Sequence, residues 1–205
     1  EAGKSDSLSL SEKQKILLEE LKNNDFFDST YTEKNELNAV YLHVNSACNL
    51  HCLGCYSHVE NRNCKDELSL EQWKSIIRDL AREGTKNIVI SGGEPFLRKD
   101  IVEICHYIKK QGIENLEIIS NGTMNVSAYE QVIPYIDALN ISIDGYSADT
   151  SFIRDKGIMK KVLEVIEHLK ILVPLKLIIT LHKKNIPFMK EYEKFINKFI
   201  DSDLD

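Results

Sequence analysis

Short apolar segments alternate along most of this chain with longer segments in which apolar residues recur every three or four positions. The short segments have the length of strands and lie at 39–44, 87–91, 116–120, 139–143 and 175–181. The longer segments between them have the period of a helix that buries one face. This alternation predicts an α/β fold in which five βα units contribute their strands to one parallel sheet.

The helices can be bounded by their end signals. Ser69 and Gln72 form a capping box that predicts a helix start, and Gly84 is the left-handed residue predicted to end that helix. The apolar stripe of the helix consists of Leu70, Trp73, Ile76, Ile77 and Leu80. Similar stripes predict further helices at 101–112, 126–134, 158–169 and 192–199.

The N-terminal part of the chain does not follow the βα rhythm. Apolar residues at helical spacing predict one helix over 9–27, and a polar linker follows at 28–38. We therefore predict two parts, an N-terminal helix with its linker over 1–38 and an α/β domain over 39–205.

Unusual residues are concentrated in the loops that follow the predicted strands. These loops read "NSACNLHCLGCYS", "SGGEP", "SNGT" and "SIDGYSADTSFIR", whereas loops at the opposite edge, such as "REGTK" and "KQGIEN", are ordinary turns. Parallel α/β sheets bind their ligands at the carboxyl ends of the strands. We therefore expect one functional site, at that edge.

Composition narrows the class of partner and compartment. The chain has 205 residues, is 42% hydrophobic and carries a net charge of -6, which argues against binding of nucleic acid. It has no apolar run of about 18 residues, so we expect no membrane partner. Its five cysteines are an odd number, and three of them are clustered. This usage is typical of a metal site in a reducing compartment, and we predict a cytoplasmic protein.

The clustered cysteines are Cys48, Cys52 and Cys55, in a C-x3-C-x2-C spacing. Three thiolates leave an open coordination position, as in a four-iron cluster whose fourth iron has no protein ligand. A zinc site completed by His51, His58 or Cys64 is the alternative. Cys105 lies on the apolar stripe of a predicted helix, so we expect it to be a buried hydrophobic residue, and we expect no role for Cys64.

Two motifs together carry a family resemblance. The cysteine loop after the first strand is followed directly by Tyr56, and "GGEP" follows the second strand. Over residues 39–205 the chain thereby resembles the radical S-adenosylmethionine (AdoMet) superfamily. The elements "SNGT", "SIDG" and "FIR" are similar to those of SPASM-type peptide and protein maturases, including thioether- and crosslink-forming enzymes and sulfatase-maturing enzymes.

The resemblance implies two cofactors and the residues that hold them. Cys48, Cys52 and Cys55 would bind a [4Fe-4S] cluster and so serve as the catalytic residues. AdoMet would bind the open iron, with Tyr56 beside adenine, the "GGE" residues at the methionine amino group and Arg154 at the carboxylate. Ile179 or Thr180 would extend the adenine wall. The implied AdoMet-binding residues are Tyr56, Gly92, Gly93, Glu94, Asn121, Ser142, Asp144 and Arg154.

The resemblance also implies an activity and a fold. An electron donor such as flavodoxin or ferredoxin would reduce the cluster, AdoMet would be cleaved to a 5′-deoxyadenosyl radical, and this radical would take hydrogen from a peptide or protein substrate. The fold would be a partial (βα)6 TIM-like barrel with five units and an N-terminal helical extension. The sixth strand and an auxiliary-cluster domain are not recognisable, so we expect a C-terminally truncated chain. The alternatives are a glycyl-radical-enzyme activase and a non-catalytic metal- or cluster-binding fragment.

Overall fold

The computed structural model describes residues 12–23, 37–57, 67–147 and 151–200. Contacts divide the chain into two compact units, Glu1–Asn35 and Glu36–Asp205. In the first unit, α1 spans Glu12–Asn23 and has no buried residue. The predicted helix covered 9–27, and its two ends lie outside the described residues. In the described ranges, no helix is long and apolar enough to cross a membrane.

The second unit contains the five predicted βα units. Its strands are β1 (Ala39–His43), β2 (Asn87–Ser91), β3 (Asn115–Ser120), β4 (Ala138–Ser142) and β5 (Leu175–Ile178). Its helices are α2 (Leu70–Arg82), α3 (Ile101–Lys110), α4 (Val126–Glu130), α5 (Met159–Leu169) and α6 (Met189–Ile200). The strands form one parallel sheet in the order β1-β2-β3-β4-β5. The predicted α/β fold is therefore confirmed.

The core lies between one face of this sheet and the helices. The β3 residues alternate strictly between buried and half-buried positions. Strand residues on the helix-facing side are fully buried, among them Ile88, Ile90, Leu116, Ile118, Leu139 and Ile141. They belong to one apolar cluster with Ile77, Ile104 and Ile108 of the helices. Burial of this face against helices fixes the register of the strands, because a one-residue slip would expose it.

Helix α2 begins with the predicted capping box. The Ser69 backbone N–H donates to Gln72 Oε1 over 2.8 Å, and the Gln72 N–H donates to Ser69 Oγ over 3.4 Å. The helix ends at Arg82, followed by Gly84 at a φ of 83°. These caps satisfy backbone groups that helix termini otherwise leave unpaired.

Two elements are shorter than predicted. The helix expected over 126–134 ends at Glu130 and is followed by a 3₁₀ turn, Ile133–Tyr135. Pro134 explains this break because proline has no N–H to continue a helix. The strand expected over 175–181 ends at Ile178. Ile178 pairs with Ser142, the last residue of β4, so later residues have no strand partner on that side.

Candidate functional site

The loops at the carboxyl edge of the sheet surround a cavity of about 250 Å³. Residues after each of the five strands contribute to its wall. Nine of the eleven predicted site residues line it: Cys48, Cys52, Cys55, Tyr56, Gly92, Gly93, Asn121, Ser142 and Arg154. The other two, Glu94 and Asp144, lie behind the wall and are almost fully buried. The structure thus brings the predicted residues together around one concave surface.

The cysteine loop is held in place by its backbone. The Gly93 N–H donates to the Asn45 carbonyl over 2.9 Å, and the Glu94 N–H donates to the Ala47 carbonyl over 2.7 Å. On the other side of the loop, the Leu53 N–H donates to the Ile153 carbonyl over 2.9 Å. The loop after β1 is therefore fastened both to the loop after β2 and to the segment after β4.

The three cysteines of this loop are free and half-buried. Within the described ranges, no three His, Cys, Asp or Glu side chains converge closely enough to hold a single metal ion. All three thiols line the same cavity, which fits an iron–sulfur cluster because each of its thiolates binds a different iron. Burial raises the pKa of the Cys52 thiol, while the nearby Arg154 guanidinium acts in the opposite direction.

Of the remaining candidates for a zinc site, His51 alone lies in the described residues. His51 is exposed, and its Nδ1 lies 3.5 Å from the Asp155 carboxylate. His58 and Cys64 lie outside the described residues. Cys105 is fully buried in the core, as predicted.

Gly92 and Gly93 are required by contacts within the protein. A Cβ added at Gly92 would lie 2.6 Å from the Asn45 carbonyl oxygen, and one added at Gly93 would clash with the Ala47 carbonyl. Gly92 also has a φ of 148°, which side chains disfavour. The resemblance placed these glycines at the methionine amino group, where a ligand would approach the backbone. The structure shows that they also let the cysteine loop approach it.

Glu94 ties two loops together from behind the cavity wall. Its carboxylate accepts hydrogen bonds from the Asn121 N–H over 2.8 Å and from Ser120 Oγ over 2.9 Å. A third donor is the Phe96 N–H, at 3.3 Å. Because the group is fully buried, its pKa rises to about 7 despite these hydrogen bonds. Its predicted contact with the methionine amino group stays a prediction.

Asp144 and Arg154 form an ion pair beside the cavity. Asp144 Oδ1 lies 2.7 Å from Arg154 Nε, and the two side chains are only 3% and 14% exposed. Among the described residues neither of these two atoms has an aligned hydrogen-bond partner, so the contact is mainly electrostatic. Asp144 Oδ2 also accepts the Ile153 N–H over 3.1 Å. Asp144 therefore positions Arg154, which itself lines the cavity.

The aromatic residue after the third cysteine is anchored by its hydroxyl. Tyr56 OH lies 2.8 Å from Ser91 Oγ at the end of β2, and its ring meets the His43 ring edge-on at 5.5 Å. The ring is otherwise exposed at the cavity, where an aromatic ligand could stack on it. In the segment directly after β5, Thr180 lines the cavity, whereas Ile179 packs against the core.

Sequence reasoning missed several asparagines that build this site. Asn45 donates through Nδ2 to the Glu94 carbonyl over 2.8 Å. Asn49 donates through Nδ2 to Thr123 Oγ1 over 2.8 Å and accepts from Asn121 Nδ2 over 2.8 Å. The available signal was their position at the functional edge, since Asn45 lies just before the cysteine motif and Asn49 lies within it. Their partners lie about 50 to 75 positions away and could not be identified from one sequence.

Comparison with known families gives an independent match to this part of the chain. A family model described as the Radical SAM superfamily matches residues 42–195. The matched range includes β2 to β5, the last two residues of β1 and all eleven predicted site residues.

Two curated relatives are similar in sequence over part of their lengths. The chain is 37% identical over 91 residues to the Fe-coproporphyrin III synthase of Methanosarcina barkeri, which covers 44% of this chain and 23% of that protein. It is 32% identical over 139 residues to the probable GTP 3′,8-cyclase of Methanothermobacter marburgensis, which covers 65% and 44% respectively. The matched region thus spans less than half of either relative.

Solved structures share the fold at low sequence identity. SuiB of Streptococcus suis bound to S-adenosylmethionine has a TM-score of 0.71 and 16% identity, covering 95% of this chain and 46% of SuiB. SuiB bound to precursor peptide SuiA gives 0.70 and 17%, covering 97% and 45%. Native anSMEcpe with bound AdoMet gives 0.65 and 17%, covering 78% and 48%. These likenesses confirm the predicted partial barrel.

Proposed function

Because this chain belongs to the radical SAM superfamily, we propose that it removes a hydrogen atom from a peptide or protein substrate in order to modify it, for example by forming a thioether or a crosslink. Members of this family use a [4Fe-4S] cluster and AdoMet, and these are the cofactors of this chain. When bound, they supply the 5′-deoxyadenosyl radical that abstracts hydrogen.

The residues of the cavity fit these two cofactors. Cys48, Cys52 and Cys55 would hold the cluster, since their three thiols share one half-buried wall. Arg154 offers a guanidinium at the cavity for the AdoMet carboxylate, in an orientation that Asp144 fixes. The anchored ring of Tyr56 would stack beside adenine. Gly92, Gly93, Glu94, Asn121 and Ser142 would form the remaining AdoMet site.

The cavity wall also protects the reaction. Apolar side chains of Leu50, Ile119, Ile153 and Ile178 lie among the polar ones. They would limit the access of water, which would otherwise compete with substrate for contact with the reactive centre. In this proposal the chain's residues bind and orient the cofactors, while the cofactors supply the chemistry.

One observation carries the choice of a peptide substrate. The likeness to SuiB extends over 97% of this chain, and that SuiB structure is bound to precursor peptide SuiA. We propose an electron donor such as flavodoxin or ferredoxin as reductant, and a cytoplasmic location. The curated sequence relatives support a second candidate, the rearrangement of a small molecule, as the printed name GTP 3′,8-cyclase states for one of them.

Reconstitution tests the shared part of both candidates. The protein would be loaded anaerobically with iron and sulfide, reduced, and assayed for iron, for its electron paramagnetic resonance signal and for 5′-deoxyadenosine. We expect about four irons per chain and release of 5′-deoxyadenosine, as is typical for a cluster of this type. Cys52→Ala should lose both, while Cys105→Ala, a buried cysteine off the loop, should keep both. A cluster without AdoMet cleavage would instead favour a non-catalytic fragment.

A second assay separates the two candidates. The reduced enzyme would be mixed either with a library of deuterated peptides or with GTP. Transfer of deuterium into 5′-deoxyadenosine from the library would support the peptide proposal. Stimulation of AdoMet cleavage by GTP alone would overturn it in favour of the small-molecule candidate.

A further inference from the structure

Asn121 lies at the meeting point of the loops after β1 and β3. It is 7% exposed and belongs to the cavity wall. Its side-chain Nδ2 lies 3.9 Å from Cys48 Sγ and donates to Asn49 Oδ1 over 2.8 Å. One amide group therefore contacts both a predicted cluster ligand and the residue next to it in sequence.

The orientation of this amide is fixed by a closed set of hydrogen bonds. Asn121 Oδ1 accepts from the Thr123 N–H over 3.0 Å and from Thr123 Oγ1 over 2.6 Å. A backbone N–H can only donate, so the oxygen of the Asn121 amide must face Thr123 and the nitrogen must face Cys48. Asn49 Nδ2 completes the set by donating to Thr123 Oγ1 over 2.8 Å.

The amide nitrogen has two hydrogens, and the structure uses one of them for Asn49. The other is available to the sulfur of Cys48. Hydrogen bonds to the sulfurs of an iron–sulfur cluster are one of the means by which proteins set its reduction potential. A donor stabilises the added negative charge of the reduced state, so it raises the potential.

We propose that Asn121 is a positioning residue for the cluster, whose amide donates to Cys48 Sγ and raises the reduction potential of the bound [4Fe-4S] cluster. This role differs from the contact with AdoMet expected for Asn121 from the sequence. It rests on the cluster that the proposed function requires, but not on the identity of the substrate.

A redox titration without AdoMet tests this role separately from AdoMet binding. The reduced cluster would be quantified by electron paramagnetic resonance in the wild type, in Asn121→Ala and in the isosteric Asn121→Asp. We expect the ratio of reduced to oxidised cluster at a fixed potential to fall at least about threefold in both variants. For a one-electron couple this is a negative shift of about 28 mV.

Two further variants separate the hydrogen bond to sulfur from loss of the network. Asn49→Ala removes one partner but leaves Asn121 anchored to Thr123, so the potential should stay within error of wild type. Asn140→Ala is a matched control, because Asn140 is a buried asparagine whose Nδ2 donates to Glu117 over 2.9 Å, away from the cavity wall. It should leave the potential unchanged.

Several outcomes would overturn the proposal. An unchanged potential in Asn121 variants that still carry about four irons would show that the amide does not act on the cluster. An equal shift in Asn49→Ala would assign the effect to the shape of the loop. Loss of the cluster from both Asn121 variants would assign Asn121 a structural role only. One further outcome concerns the proposed function alone. If the wild-type cluster never cleaves AdoMet, the proposed function is contradicted, whereas a lowered potential in the Asn121 variants would still support the role of Asn121.

Discussion

Buried charges at the site act through their partners. Asp144 is almost fully buried, and its carboxylate contacts only the neighbouring segment 153–154 in the hydrogen bonds and ion pairs described above. We therefore expect its main effect to be the placement of Arg154 and of the segment that also binds the cysteine loop. Its stability effect can be separated from any effect on cofactor binding by working with the metal-free protein.

Removal of the Asp144 charge should destabilise the protein. Asp144→Asn leaves a largely buried guanidinium without its counter-charge, which costs about 3 kcal/mol in comparable buried pairs. Chemical denaturation would measure the loss, and Arg154→Met combined with Asp144→Asn should recover part of it. The exposed pair of Lys160 and Glu164 provides the control, since Glu164→Gln should change the free energy of unfolding by less than about 0.5 kcal/mol. Equal effects at the two pairs would contradict this prediction.

Glu94 should make stability depend on pH. Its pKa in the folded protein, about 7, is above the ordinary value of 4.5, so the folded state holds its proton more tightly than the unfolded state does. Stability contributed by the protonated group is therefore present below about pH 4.5 and is lost as the pH rises through 7. At about 1.4 kcal/mol per pKa unit, the loss is at most ~3.5 kcal/mol.

Chemical denaturation of the metal-free protein at several pH values would measure how stability depends on the protonation of Glu94. The range from about pH 5 to about pH 8 includes the raised pKa of this group. Glu94→Gln should flatten the profile, since glutamine does not titrate and can still accept one hydrogen bond. Glu117→Gln is the control for a carboxylate whose pKa is lowered rather than raised, by hydrogen bonds from Lys176, Asn140 and Asn115. An unchanged profile in Glu94→Gln would assign the dependence to other groups.

At the scale of elements, the start of α2 supports the cysteine loop. Glu67, two residues before the Ser69 cap, accepts the Ser46 N–H over 2.9 Å. Arg98, on the other side, donates to the Val44 and Leu68 carbonyls over 2.9 Å each. The beginning of α2 is therefore joined to the end of β1 just before the first cysteine.

Loss of the α2 cap should be measurable as a stability change. Ser69→Ala removes both hydrogen bonds of the Ser69 hydroxyl with Gln72 but keeps the bond from the Ser69 N–H, and N-cap substitutions of this kind cost about 1 kcal/mol. Thermal or chemical denaturation would detect it. Ser127→Ala in α4 is a suitable comparison, because Ser127 is exposed and is not an N-cap, and it should have a smaller effect. A loss no larger than that of Ser127→Ala would show that the box contributes little here.

Much of the fold follows from the sequence because its periods are strong. The apolar runs of β2 and β3 and the stripe of α2 each match one structural period, and the structure confirms them. The end of the predicted helix at 126–134 was missed because one proline outweighed an otherwise helical pattern. The end of β5 was missed because it depends on where β4 stops, which is a relation between distant residues.

For the candidate site, the sequence indicated which residues line the cavity but not which contacts hold them. Motif spacing and loop position together indicated which residues share the cavity wall, because parallel strands place their carboxyl ends at one edge. The contacts behind that wall, such as Glu94 with Ser120, depend on side-chain direction and burial. A single sequence carries no record of these, so they required the structure.

At the scale of the whole molecule, the segments that follow all five strands of the sheet contribute residues to the cavity wall. A ligand held there would contact residues from every βα unit. A ligand that binds the folded state but not the unfolded state stabilises the whole domain. The gain is about 2.7 kcal/mol when the free ligand is at 100 times its Kd.

AdoMet should therefore raise the melting temperature of the cluster-loaded protein under anaerobic conditions. The shift should grow with AdoMet concentration and should be absent in Cys52→Ala, which lacks the complete cluster site. Differential scanning fluorimetry or calorimetry would measure it. S-adenosylhomocysteine, which lacks the sulfonium charge, is a matched ligand control. A shift of the same size in Cys52→Ala would place the AdoMet site elsewhere.

The backbone hydrogen bonds from Gly93 and Glu94 to the cysteine loop have a consequence for how this loop tolerates change. Both join main-chain groups, the Gly93 N–H to the Asn45 carbonyl and the Glu94 N–H to the Ala47 carbonyl. A main-chain hydrogen bond does not depend on which side chains the loop carries, because every residue but proline has the same backbone donor and acceptor. The residues between the cysteines can therefore be exchanged to reshape the cavity wall while the loop keeps its attachment to the segment after β2.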